Sequence, residues 1–169
     1  MTVDELKEII VSREEATFWL DRWGYWCNAH GRFEHKKIID YFHTAIARDA
    51  QGYYVSQVNG DVREKVYFRY ADTALFVFDV LTEDGITLVL NTRRQIGLDP
   101  AALSIRKDCL YVRKNKELIK FNELSMLKIS RLFEYEGDIC YITIKGERWA
   151  IPETDDNASH NDGDPLTDS

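Results

Sequence analysis

The 169 residues, 44% hydrophobic and 12% aromatic, suffice for one core of ordinary size or two small ones, which excludes a wholly disordered chain. The net charge of −7 is concentrated: six acids and no Lys or Arg stand between Glu153 and Ser169, leaving the rest near −1 and without the basic surface that nucleic acid requires. No apolar run approaches the roughly 20 residues that span a bilayer, the acidic start MTVDELKEII is unlike a secretory signal, and three cysteines make no disulfide framework, so a reducing cytoplasm is expected.

Thr2-Val3-Asp4-Glu5 has the form of a capping box, and Leu6, Ile9 and Ile10 follow at helical spacing, predicting an N-terminal helix within residues 1–17. Residues 18–27 then read as a hairpin around Asp21-Arg22-Trp23-Gly24, with Asp and Gly at the favoured ends of a type I turn. A helix is predicted from about Glu34 to Arg48, because Ile38, Ile39, Phe42 and Ile46 share one face. Strands at Tyr53 to Val58 and Lys65 to Tyr70 flank Asn59-Gly60, with a loop expected to exceed two residues. Ala74 to Leu81 and Ile86 to Asn91 form a clear strand pair around Thr82-Glu83-Asp84-Gly85.

Asp99-Pro100 punctuates the passage to a second stretch of the same kind. There Asn122 is a good N-cap for a helix reaching about Phe133, and Ile139 to Ile144 with Arg148 to Ile151 make a last hairpin around Lys145-Gly146-Glu147. The order of aromatic strand, polar turn, amphipathic helix and aromatic strand thus occurs near residue 26 and again near residue 111. The expected fold is α+β: two related strand-strand-helix-strand units (about residues 20–58 and 105–144) with mainly antiparallel sheet. The division expected is a first unit with a hairpin extension over 18–98, a second unit over 99–152, and a disordered acidic tail over 153–169.

Chemistry-bearing residues are sparse. Cys27, His30, His35 and His43 are zinc-ligand types crowded into one span, but their spacing is not that of a finger or knuckle, so no metal and no cofactor is expected. Phe18, Trp19, Trp23, Tyr25 and Trp26 form the densest aromatic group; core packing accounts for it first, a ligand or partner face second. Arg106 to Lys128 is locally basic and reads as the charged rims of a solvated strand-turn-strand. Asn91-Thr92-Arg93-Arg94 places two guanidinium groups beside an amide and a hydroxyl, a set able to receive an anion, and a solvated strand end explains it equally well. If the strands at 65–70 and 86–91 share a sheet, Glu64 and Asp72 could meet that segment, making Glu64, Asp72, Asn91, Thr92, Arg93 and Arg94 the candidate ligand-binding set. No phosphate loop, nucleophile elbow or Cys/His nucleophile pair is present, so no catalytic residue is assigned.

The run Asp21-Arg22-Trp23-Gly24-Tyr25-Trp26, then Gly31-Arg32, Phe42, Ala47-Arg48-Asp49, Gly52-Tyr53-Tyr54-Val55 and Glu64-Lys65-Val66, resembles a bacterial domain-of-unknown-function family, the one numbered twelve eighty-five. Asp72-Thr73-Ala74-Leu75-Phe76 and Asn91-Thr92 resemble two further segments of that family, without its Pro and with Asn and Thr in reversed order. The resemblance implies a duplicated α+β fold and a role in ligand sensing or signalling, and it lends no catalytic residues. The expected function is a cytoplasmic ligand-binding or regulatory module for a small molecule or a protein partner, a second copy of the chain included. The alternatives are a small enzyme acting on an anionic molecule through Glu64/Asp72 and Arg93/Arg94, and a pure protein–protein interaction module.

Overall fold

The computed structural model describes residues 6–155, which form two compact units, one ending at Ala74 and the other beginning at Leu75. Strand dominates, at 52% against 15% helix, and the sheets are mixed. None of the described helices is long and apolar enough to cross a membrane.

The first unit runs β1 (Lys7–Val11), β2 (Phe18–Leu20), β3 (Trp26–Asn28), β4 (Gly31–Arg32), α1 (Lys36–Thr44), β5 (Ile46–Asp49), β6 (Gly52–Asn59), β7 (Val62–Tyr67) and β8 (Arg69–Tyr70). It holds two four-stranded sheets, ordered β4-β3-β2-β8 and β1-β7-β6-β5. The predicted β2–β3 hairpin is present, and its turn is tied by Asp21, whose Oδ1 accepts from the amides of Trp23 and Tyr25 at 2.9 Å each. Trp26, only 1% exposed, lies edge-on to Phe18, Phe42 and Phe68 at centroid distances of 5.7, 5.5 and 4.9 Å, with the His43 ring at 5.6 Å. Such aromatic contacts each add about 0.5–1.5 kcal/mol to the area they bury.

Three local expectations fail in this unit. The N-terminal helix is instead a strand over Lys7–Val11, paired parallel to β7 from Lys7↔Val62 to Val11↔Val66. Ile9, Ile10 and Val11 are consecutive β-branched residues, and a helix this short would not hold itself together without a packed face. Ile9 and Ile10 are exposed, so the supposed stripe is not part of the core. Thr2 to Glu5 lie outside the described residues. Next, α1 stops at Thr44 and not near Arg48, because Ile46 to Asp49 are drawn into a ladder with β6. Its packed face is Ile39, Phe42 and His43, while Ile38 is exposed. Finally, β6 and β7 meet through the two-residue loop Gly60-Asp61, with Gly60 at φ +66° supplying the left-handed backbone that the tight turn needs.

The second unit runs β9 (Leu75–Leu81), β10 (Thr87–Leu90), β11 (Gln95–Gly97), a 3₁₀ turn (Pro100–Ala102), β12 (Leu103–Arg106), β13 (Cys109–Lys114), β14 (Glu117–Phe121), α2 (Glu123–Ile129), a second 3₁₀ turn (Ser130–Leu132), β15 (Phe133–Glu136), β16 (Ile139–Ile144) and β17 (Glu147–Ile151). A six-stranded sheet is ordered β11-β10-β9-β14-β13-β12, and β15-β16-β17 form a separate antiparallel meander. The β9–β10 hairpin, expected to extend the first unit through residue 98, belongs here because β9 pairs parallel with β14, Ile119 opposite Leu75. Asn122 is the N-cap of α2 as its side chain predicts, accepting from the Ser125 amide at 2.9 Å. The Ser125 hydroxyl then donates to the Val77 carbonyl at 2.7 Å, seating the helix on β9.

Around its helix each unit has three strands before and three after in the same order (β2–β4 and β5–β7; β12–β14 and β15–β17), with β1, β8 and β9–β11 outside the pattern, and the second triple is an antiparallel meander in both. The first triples differ in their parallel neighbour: β2 takes β8, whereas in the other unit the strand beside the helix, β14, takes β9. The acidic segment expected to be disordered from residue 153 begins in an ordered state. The Thr154 amide donates to the Ile105 carbonyl at 2.8 Å, and the Ile105 amide donates to the Pro152 carbonyl at 2.9 Å. Residues 152–154 thereby cover the edge of β12; residues 156–169 lie outside the described residues.

Candidate functional site

Of the six residues proposed from sequence, Glu64 and Asp72 belong to the first unit and Asn91, Thr92, Arg93 and Arg94 to the second, so neither unit by itself assembles the set. Glu64 is half-buried in the middle of β7, between Ile9 of β1 and Gln57 of β6. Asp72 follows β8 in a bend. Asn91 to Arg94 are the turn between β10 and β11, closed by backbone bonds from Leu90 to the Arg94 carbonyl and from Arg93 to the Leu90 carbonyl. The turn employs most of their polar groups. Asn91 is buried, and its Oδ1 accepts from the Phe76 amide at 3.0 Å. Thr92 Oγ1 accepts from the Arg94 amide, and the Arg94 guanidinium pairs with Glu117 at 3.0 Å. Arg93 occupies the turn's left-handed position at φ +70°.

Among the described residues no group of three or more His, Cys, Asp or Glu side chains could hold a metal ion. His30 and His35 are exposed; His43 is buried against Trp26, and burial pushes its imidazole down to about 4. Burial likewise raises the Cys27 thiol, with Asp21 adding to the effect. The aromatic group divides: Phe18 and Trp26 are core, while Trp23 and Tyr25 are exposed, Tyr25 carrying the Arg32 guanidinium 4.0 Å above its ring. Elsewhere in this unit Asp49 is clamped by Lys65 and by the Tyr67 hydroxyl at 2.6 Å, which hold its carboxyl down to about 2 and raise the Lys65 amine.

The concave site lies in the second unit, on the polar face of β12, β13 and β14. Strand alternation builds it. Leu103, Leu110, Val112, Ile119 and Phe121 point to one face and are almost fully buried. Ser104, Arg106, Tyr111, Arg113 and Leu118 point to the other, where they line a groove of about 410 Å³ with Ala101, Ala102 and Thr154. The registers Ser104↔Tyr111, Arg106↔Cys109 and Arg113↔Leu118 set the rows. Asp99 caps the turn that carries the two alanines, its Oδ1 accepting from the Ala101 amide at 3.1 Å. Arg106 is only 9% exposed: its guanidinium lies 4.7 Å over the Tyr111 ring and donates to the Tyr111 hydroxyl at 3.1 Å. Arg113 is exposed at the rim.

A guanidinium stacked on a tyrosine ring and bonded to its hydroxyl is held in one orientation at the wall of the groove. Such a wall can receive carboxylate or phosphate oxygens, with the Ser104 and Thr154 hydroxyls adding bonds at the sides. Sequence reasoning passed over it. The signal is the period of two in Ser104-x-Arg106 and Tyr111-x-Arg113, inside a stretch with six cationic and two anionic residues from Arg106 to Lys120.

No protein-family model and no curated protein matches the chain. Two solved structures do. A DUF1285 family protein from Silicibacter pomeroyi DSS-3 aligns over 89% of this chain and 86% of its own, at 15% identity and a TM-score of 0.57. A DUF1285 family protein from Shewanella baltica OS155 aligns over 68% of this chain and 91% of its own, at 12% identity and a TM-score of 0.47. The first alignment spans nearly the whole of both chains, and in fold this protein is similar to the DUF1285 family that residues 18 to 92 already resemble.

Proposed function

We propose that the protein is a non-catalytic binding or regulatory module whose second unit takes a small anionic molecule in the groove beside Arg106. One observation carries the reading: a buried arginine, held in place by Tyr111, lines an open concavity together with a second arginine. Its volume lies in the range of small-molecule sites. The experiment is a thermal-shift and calorimetric screen of small carboxylates and phosphates against the wild type and an Arg106→Met/Arg113→Ala double variant. Binding to the folded state alone raises stability by about 2.7 kcal/mol at a hundredfold excess over Kd. Stabilisation of the wild type and none of the double variant is expected. An inert wild type, or an equal shift in both proteins, overturns the reading.

The recurrence of three strands, helix and three strands supports reading the two units as copies of one ancestral motif. A superposition of residues 20–58 on 105–144 that failed to bring α1 onto α2 would end that reading.

A further inference from the structure

The tip of the β6–β7 hairpin brings together an amide side chain and a backbone nitrogen that can react. Asn59, exposed at the last position of β6, is followed by Gly60, and among the described residues its side chain has no hydrogen-bond partner. The Gly60 amide likewise donates to no carbonyl among them. The other described asparagines differ. Asn91 is buried, while Asn28 and Asn122 each accept a backbone amide at 2.9 Å, from His30 and Ser125. Asn115 is exposed in a turn as Asn59 is, but Lys116 follows it, and its Cβ crowds the nitrogen that a glycine leaves open.

We propose that Asn59 is a site of spontaneous modification, at which the side-chain amide is lost as ammonia and the chain becomes aspartyl or isoaspartyl. First the Gly60 nitrogen, giving up its proton, bonds to the Asn59 side-chain carbonyl carbon, closing a five-membered succinimide as ammonia leaves. Water then adds to one of the two ring carbonyls and breaks its bond to the ring nitrogen. Opening on the side-chain carbonyl leaves an aspartyl residue; opening on the main-chain carbonyl leaves an isoaspartyl residue, with the backbone one atom longer. Ring closure needs the Gly60 nitrogen turned towards the side chain. The extended backbone of the Asn59↔Val62 ladder pair does not allow this, so the step waits for the tip to open.

The longer product reaches β1. The Asp61 carbonyl accepts the Lys7 amide at 3.3 Å, and β1 pairs with β7 from Lys7↔Val62 onwards. An extra backbone atom between Asn59 and Gly60 moves Asp61 and detaches the start of β1, whereas the aspartyl product leaves that start in place.

The purified chain is held at mildly alkaline pH in heavy-oxygen water, folded and in urea, and its peptides are mapped by mass. Label is expected at Asn59 about tenfold or more faster than at Asn115, faster still in urea, and not at this position in Asn59→Gln. The isolated isoaspartyl form should exchange its Lys7 and Ile9 amides faster than wild type, and Asn59→Asp should not. Three results overturn the site: Asn59 intact in the folded chain while the unfolded chain converts fully, Asn115 as fast as Asn59, or equal label in Asn59→Gln. Conversion with unchanged exchange at Lys7 and Ile9 overturns the link to β1.

Discussion

Replacing Asn91 by Ala separates a residue of the fold from a residue of a site. Asn91 is 4% exposed and Phe76 wholly buried, and the bond from the Phe76 amide to Asn91 Oδ1 lies in the interior at 3.0 Å. The Asn91 amide in turn donates to the Phe76 carbonyl at 2.9 Å, so the side chain completes a two-bond stitch where β10 leaves the ladder of β9. The register shifts at this point, between Val89 and Leu90. Alanine keeps the backbone bond but strands the Phe76 amide, and a buried donor without a partner costs about 1–3 kcal/mol. For a chain of this size each kcal/mol moves Tm by roughly 2–4 °C, so a drop of about 2–12 °C is expected. Urea unfolding of Asn91→Ala beside Arg93→Ala and Arg94→Ala checks it. The arginine variants should stay within about 1 kcal/mol of wild type, because the Arg94–Glu117 pair is solvent-facing on the arginine side. A loss below about 0.5 kcal/mol in Asn91→Ala, at unchanged m, would refute the stitch and return Asn91 to the candidate ligand set.

Two further outcomes follow from the structure. His43 titrates near 6.5 when unfolded and is pushed to about 4 in the fold, chiefly by burial. Its contribution is thus complete above pH 6.5 and lost as pH falls towards 4, up to about 3 kcal/mol at 1.36 kcal/mol per unit. Urea midpoints across that range should fall in the wild type and much less in His43→Phe; parallel profiles would refute the assignment. Asp49 does not confuse the window, because its depressed carboxyl removes stability only between about 3.8 and 2. At the other end, a chain stopped at Pro152 should be less stable by about 1 kcal/mol than one stopped at Asp155, since it loses the Thr154–Ile105 backbone bond. It should also lose affinity for any groove ligand, because Thr154 forms part of the wall. Equal stability and binding by calorimetry would show that residues 153–155 contribute nothing.

What was legible in the sequence was what neighbouring residues decide. Asp21 and Gly24 announce their turn, Asn122 its helix, and Thr82 to Gly85 the hairpin around them, because each of these is settled within a few bonds of the residue. The strand β1 was not legible, since its partner comes more than about 50 residues later and the local spacing of Leu6, Ile9 and Ile10 suits a helix as well. The same holds for the end of α1, where Ile46 completes an apolar helical face yet joins a sheet. Among site residues two readings mirror one another. Asn91 to Arg94 looked functional because turn chemistry uses the polar side chains that binding uses. Arg106 looked like part of a solvated rim because no local pattern reveals which strand face other elements cover.

The long-range pairing of β1 has a consequence during synthesis. Translation adds about 5–20 residues per second, so Ile9-Ile10-Val11 waits roughly 3–10 s before Val62 to Val66 have been made. Throughout that interval a β-branched apolar run has no native strand to pair with, which is the condition under which chains join one another. Lys7 and Glu8 before it and Arg13 and Glu14 after it place charge on both flanks, as gatekeeper residues do. Their worth would be read in soluble yield from the ribosome, a quantity to which the melting temperature of the finished protein is blind.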